Sequence, residues 1–154
     1  QLDFNLPKRF EMSYIGSDGG TYEPVMIHRA MYGSLERFTG ILIEHYAGAF
    51  PTWLAPVQVR VLTISKEQIP YAEKIHKKLQ EVGIRAEIDI RDEKIGYKIR
   101  EANGEQKIPI QLIIGKNEVE NNEVNIRRFG SQDSSNMKVD EIIELLIEES
   151  KVVF

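Results

Sequence analysis

A chain of 154 residues can bury a real core, and it fits one ordinary domain or one domain joined to a piece of another. Apolar residues make up 42% and charged residues 29%, which excludes disorder, and no apolar run reaches membrane-spanning length. The formal charge of −4 argues against binding nucleic acid through the whole surface and leaves room for a local, selective patch; zero cysteines exclude disulfides and thiolate metal sites and fit a reducing cytosol, the expected location.

The opening "QLDFNLPKRF" lacks the basic-then-apolar order of a signal peptide. "SYIGSDGGTYEPVMIHRAMYG" then predicts strand, turn and strand, with the turn at "GSDGG" and the second strand over 22–31. On that strand Met26, His28 and Ala30 would share one face. Ser34 is the expected N-cap of a helix carrying Leu35, Phe38, Ile41, Leu42 and His45 at helical spacing, and Gly48 suits its end. "AGAFPTWLAPVQ" (47–58) is the clearest boundary, because Pro51 and Pro56 stop either periodic pattern, and Trp53 between them is expected to pack against a neighbouring surface.

Beyond the boundary the elements alternate. A strand is expected over 57–64, then an amphipathic helix carrying Tyr71, Ile75, Leu79 and Val82 and closed by Gly83. "IRAEIDI" reads as a strand, "EKIGYKIREA" as a short helix pairing Ile95 with Ile99, and "IPIQLIIG" as a buried strand. "NEVENNEVNIRRFG" predicts a hairpin turning at Asn121-Asn122, and "KVDEIIELLIEES" a last helix. The fold class is α/β, a mixed sheet flanked by helices.

Three groups of residues could carry chemistry. A lone histidine among apolar neighbours, as at His28, reads first as a core residue. Arg37 lies one turn into its helix, where a positive charge opposes the helix dipole; a bound anion such as a phosphate would compensate, although a salt bridge to Glu36 or Glu44 is the commoner outcome. Lys94, Lys98 and Arg100 cluster after a strand end, where open α/β sheets place ligands, yet the surrounding stretch 89–107 is nearly charge-balanced and reads equally as a solvated face. Glu118, Arg127 and Arg128 would sit on neighbouring strands of the predicted hairpin, either as structural pairs or as readers of unstacked bases. No phosphate-binding glycine loop, zinc-protease motif or nucleophile elbow is present, and His28, His45 and His76 show no ligand spacing.

Several stretches together resemble the threonyl-tRNA synthetase family of class II aminoacyl-tRNA synthetases. "QLDFNLPKRF…PVMIHRAMYGSLERFTGILIEHYAGAFPTWLAPVQV" is similar to the end of that family's catalytic domain, and "GIRAEIDIRDEKIGYKIREA…IP…GKNEVENNEVNIRRFG" to its anticodon-binding domain. The resemblance implies a remnant of the antiparallel catalytic domain over 1–53 and an anticodon-binding domain over 54–154. It implies a threonine–tRNA ligase that uses ATP with Mg2+ to form threonyl-adenylate and then passes threonine to its tRNA. "GSLERF" is similar to the third class II signature, which makes Arg37 the catalytic, ATP-holding arginine and puts Ser34 and Gln1 near the ATP and threonine pockets. His28 matches the histidine of a Zn2+ site whose cysteine and other histidine lie upstream in the family, so this chain is expected to hold that site incompletely. Asp92, Arg100, Lys107, Glu118 and Arg127 match positions around the anticodon bases of threonine tRNA.

Three departures accompany the match: Asp92 stands where asparagine is expected, "GKNE" at 115–118 alters the usual charge order, and the loop 101–107 is one residue longer. The expected partners are the anticodon stem-loop of threonine tRNA, with threonine, ATP and a homodimer mate in the full-length enzyme, and no membrane. As a C-terminal portion the chain would bind tRNA without aminoacylating it. Two other classes stay open: a non-catalytic anticodon-like RNA-binding module, and a protein-interaction domain that no longer binds RNA.

Overall fold

The computed structural model describes residues 1–152, so the last two residues of the expected second domain lie outside the described residues. The chain divides into two units, Gln1–Ile41 and Leu42–Phe154.

In the first unit, β1 (Leu2–Asp3) pairs antiparallel with β4 (Met26–Ile27). Asp3 Oδ1 accepts the N–H groups of Asn5 and Leu6 at 2.8 and 3.0 Å, which starts the short α1 (Leu6–Arg9). β2 (Tyr14–Ile15) pairs with β3 (Thr21–Tyr22) across the predicted turn, where Asp18 accepts from Gly20 N–H and the Tyr22 hydroxyl. The expected long strand over 22–31 is not formed. It breaks into β3 and β4 because Pro24 between them has no N–H to give to a ladder, and β4 stops before His28. Helix α2 (Leu35–His45) opens in this unit and closes in the next, ending through Ala47 and Gly48 in left-handed conformations with Gly48 N–H on Ile43 O at 2.9 Å.

The second unit is built on one five-stranded sheet. Its members are β5 (Val59–Thr63), β6 (Ala86–Asp89), β7 (Ile110–Ile114), β8 (Glu123–Arg128) and β9 (Ser134–Lys138), in the order β6-β5-β7-β8-β9. β5 runs parallel to both β6 and β7, while β8 is antiparallel to β7 and β9, so the sheet is mixed as the alternation of elements implies. Helix α3 (Ile69–Glu81) connects β5 to β6, and α4 (Ile95–Arg100) lies between β6 and β7. Both parallel connections therefore need a crossover longer than a hairpin can supply. Helix α6 (Val139–Glu149) closes the chain order.

The register decides which side chains share a face. Val59, Val61, Ile110, Leu112, Ile114, Val124 and Ile126 lie on one face and are buried against Ala72, Ile75 and Leu79 of α3 and Val139, Ile142 and Leu146 of α6. On the other face, α4 and the π-helical turn Glu101–Glu105 that continues it cover the β5 side with Lys98 and Ala102. A π turn takes in an extra residue without breaking the helix, so α4 runs on through Glu105.

One expectation is corrected here. Lys116–Asn121 is a helix, α5, and not the first strand of a hairpin. Gly115 N–H is bonded to Glu118 Oε2 at 2.9 Å, which satisfies one of the free donors at the helix start, and Asn122 closes the helix at φ 55°. A Cβ at Gly115 would stand 2.8 Å from Ile64 Cδ1, so a larger residue here would have to push the exposed end of that side chain aside. β8 then pairs with β7 on one side and with β9 on the other, and β9 ("SSNMK") carries only one apolar residue to announce it.

Candidate nucleic-acid interface

The second face of β7, β8 and β9, buried at Gln111 against the π turn and open to solvent toward β9, is crossed by three ladder rows. Gln111, Arg127 and Ser134 form the first row, Ile113, Asn125 and Asn136 the second, and Glu123 and Lys138 extend a third. Alternation along β8 separates the two neighbouring arginines. Arg128 falls on the helix-covered face and grips Glu149 of α6 with two bonds, Nη1 to Oε2 at 3.0 Å and Nη2 to Oε1 at 2.6 Å. Arg127 falls on the open face, where only its Nε is engaged, on Ser131 O at 3.3 Å. Among the described residues its two terminal nitrogens have no partner, so four N–H donors of a rigid fork remain available to a ligand.

Beside Arg127 on β7, the fully buried Gln111 donates through Nε2 to Asn103 Oδ1 at 2.7 Å, while its Oε1 is buried without a partner among the described residues. This bond ties the π turn to the first row. Glu118 stands at the opposite end of β7, its Oε2 on Gly115 N–H and its other oxygen unpaired among the described residues. Asp92 lies on the exposed loop after β6, paired with Lys66 at 2.8 Å, and that lysine holds its carboxyl below the ordinary range. Arg100 is exposed in the last turn of α4. Asp92 follows the carboxyl end of β6, Glu118 lies in the helix after β7, Arg100 ends α4 and Arg127 is on β8, so the four stand on four different elements. Lys107 goes elsewhere. With φ at 49° it turns its Nζ onto the carbonyl of Ala47, closing the last turn that follows α2.

The basic stretch after β6 divides in the same way. Lys98 was expected among solvated charges, but it is 2% exposed. Its Nζ donates to Thr63 O at 3.0 Å and Asp89 O at 3.2 Å, joining the ends of β5 and β6. Burial pushes its pKa down against the pull of Asp89, 3.9 Å away. For Asp89 burial pushes the carboxyl up, but the side chain and N–H of Arg91 and the charge of Lys98 more than offset it and hold it below the ordinary range. Arg91 also reaches Glu101 at 2.9 Å, and its carboxylate partners raise its already high pKa. This network braces the loop that carries Asp92. Sequence alone gave no sign of it, since a lysine in a short segment of alternating charges reads as surface.

In the first unit, ladder pairing brings Gln1 and His28 together: His28 N–H donates to Gln1 O at 2.9 Å, and the Gln1 amino group donates to His28 O at 3.1 Å. His28 is exposed instead of buried in a core, because the strand ends before it, and its Nε2 lies 3.2 Å from Asp3 Oδ2. Among the described residues no three His, Cys, Asp or Glu side chains converge. Two donors are fewer than a tetrahedral zinc site requires. Ser34 caps α2 as expected, accepting the N–H of Arg37 at 3.3 Å and donating to Glu36 Oε2 at 2.6 Å. That bond holds the Glu36 carboxyl below its ordinary range, and Arg37 pairs with neither Glu36 nor Glu44 among the described residues.

Comparison with known proteins gives this geometry a context. Threonine–tRNA ligase from Fusobacterium nucleatum is 66% identical over 154 residues, covering 100% of this chain and 25% of the relative. The corresponding protein of Caldanaerobacter subterraneus is 56% identical over 149 residues, with 97% and 23% covered. The chain thus spans about a quarter of the length of these curated relatives. The crystal structure of the RNA-binding domain of threonyl-tRNA synthetase from Cryptosporidium parvum superimposes with a TM-score of 0.75 at 34% identity, covering 97% of this chain and 38% of that one. A prolyl-tRNA synthetase of the same organism shares the fold, with a TM-score of 0.66 at 18% identity. The model of the anticodon binding domain matches residues 58–149, most of the chain and every strand of the five-stranded sheet, and the chain belongs to that family.

Proposed function

We propose that this chain is the anticodon-reading part of a threonine–tRNA ligase, joined to a segment of its catalytic domain over 1–53. The observation that carries the reading is the polar strip of the sheet, with the terminal nitrogens of Arg127 at one end and one carboxylate oxygen of Glu118 at the other, all without partners among the described residues. Single-stranded RNA is read by splaying its bases onto such a surface and bonding their edges. A carboxylate accepts from N–H groups on a base edge, and a guanidinium donates to the carbonyl oxygen and ring nitrogen of another base. Arg100, exposed above the strip, and Asp92, held by Lys66, bound it on the helix side; Lys107 contributes by fixing the chain at Ala47.

The parent enzyme would join threonine to ATP as threonyl-adenylate and then transfer the threonyl group to tRNA. In that reaction this chain supplies Arg37, whose exposed guanidinium, unpaired among the described residues, suits the phosphates of ATP, together with Ser34 and Gln1 near the same pocket. A positive charge fixed beside developing phosphate charge lowers the barrier by electrostatic stabilisation. Mg2+ would accompany ATP. His28 would be this chain's single contribution to a zinc site completed by residues elsewhere. Dimerisation and a cytoplasmic location are part of the same reading.

The direct test is binding of the chain to a threonine anticodon stem-loop at fixed salt, beside a loop changed at its middle guanine. Clear preference for the threonine sequence is the expected result. Equal affinity for both loops, or none for either, would leave a fold without its reading function.

A further inference from the structure

We propose that the paired amides of Asn125 and Asn136 form an additional base-reading element, which recognises a nucleotide next to the one held by Arg127. The inference rests on the anticodon-reading function above and extends it to two residues outside the positions drawn from family resemblance. Asn125 on β8 and Asn136 on β9 are direct ladder partners on the open face, and Asn125 Nδ2 donates to Asn136 Oδ1 at 2.7 Å. That single bond uses one donor and one acceptor. It leaves Asn125 Oδ1 and Asn136 Nδ2 without partners among the described residues, so the pair still offers one acceptor and one donor. The mutual bond also fixes both rotamers, which removes much of the ordering cost that a free amide would meet on binding.

The position of the pair gives it a ligand. Asn125 is two residues from Arg127 along β8, a separation of roughly 7 Å. In the other direction, Ile113 of the same row is two residues from Gly115, whose N–H holds Glu118, roughly another 7 Å. The amide pair therefore occupies the middle of the strip whose ends are Arg127 and Glu118. Steps of this length are about twice the 3.4 Å rise of a stacked strand, so they suit bases splayed apart one by one and not a continuous stack. The row is flanked by the half-buried Ile113, an apolar surface against which a base plane can rest. A donor beside an acceptor occurs on the edge of every base, so position along the strip and not the edge pattern selects the base, and asparagine is a residue type that meets such an edge with two bonds. The element is accordingly matched to a base flanking the middle guanine.

The experiment measures binding of the intact chain and of its Asn136→Ala and Asn125→Ala variants to the threonine anticodon stem-loop and to three loops, each with one anticodon base replaced. Wild-type chain is expected to prefer the unaltered loop. Each variant is expected to bind that loop about tenfold more weakly and to lose discrimination at one flanking base while keeping it at the middle guanine. Asn136→Asp, which replaces the donor with an acceptor and is otherwise isosteric, is expected to change which flanking base is preferred; a folding defect would not produce that inversion. If the variants retain wild-type discrimination at all three positions, or weaken equally toward all four loops, the amide pair is not a reader and the inference fails while the anticodon-binding function stands. If the wild-type chain itself shows no preference among the loops, the function and this extension of it both fall.

Discussion

Arg127 and Arg128 are adjacent in sequence and opposite in role, and period-2 alternation is the reason. Arg128 is spent on Glu149 beneath the sheet, whereas Arg127 keeps its terminal nitrogens for the open face. Replacing Arg127 by alanine is expected to reduce discrimination at one anticodon base by about 1–3 kcal/mol. Stem-loop titrations with single-base variants measure this, and uniform weakening toward all of them would make Arg127 a phosphate contact. Asp89 gives a pH-dependent prediction at the same scale. Its folded pKa is depressed, so its contribution to stability is complete above the unfolded value of about 4 and is lost as pH falls through the lower folded value. Urea midpoints are expected to drop between pH 5 and pH 3, and by less in Asp89→Asn; an equal drop in both chains would show that the Asp89 network does not set acid stability.

Among the elements, α4 and its π turn do the most positioning. Lys98 joins the ends of β5 and β6, Asn103 holds Gln111 of the first row, and the Arg91–Glu101 contact closes the loop that carries Asp92. Lys98→Met keeps most of the side-chain volume but leaves the Thr63 carbonyl unpaired in a buried site. The expected cost is about 1–3 kcal/mol, seen as a lower urea midpoint at unchanged slope. An unchanged midpoint would show that water or relaxation satisfies the freed carbonyl. The helix α5 shows how a short element escapes periodicity. With Val119 as its only apolar side chain, it is specified by its ends, the Gly115–Glu118 contact and the left-handed Asn122, and a single N–H to carboxylate bond settles helix over hairpin.

At the scale of the whole molecule, the core formed by Val59, Val61, Ile110, Leu112, Ile114, Val124 and Ile126 with α3 and α6 belongs wholly to the second unit. A chain shortened to begin at Leu42 is therefore expected to unfold cooperatively and to retain anticodon stem-loop binding. Loss of a cooperative transition in calorimetry or urea titration would show that residues 1–41 are needed for the fold.

The sequence by itself determined the α/β class, the strands at "VRVLT" and "IQLII", the amphipathic helices and the caps at Ser34 and Gly83, because each is set by local periodicity or by the conformational demands of one residue. It also carried the family resemblance, through motifs whose residue types are legible one by one. Tertiary structure alone decided the rest. Strand β9 has almost no apolar signal and exists because β8 offers it a free edge. Lys98 is buried because two strand ends present carbonyl oxygens that only a long cation can reach together. Asn125 and Asn136, eleven residues apart, become one reading element only once β8 and β9 are in register. Local patterns record what each segment prefers; which side chains meet across the open face depends on strand pairing, which no local pattern contains.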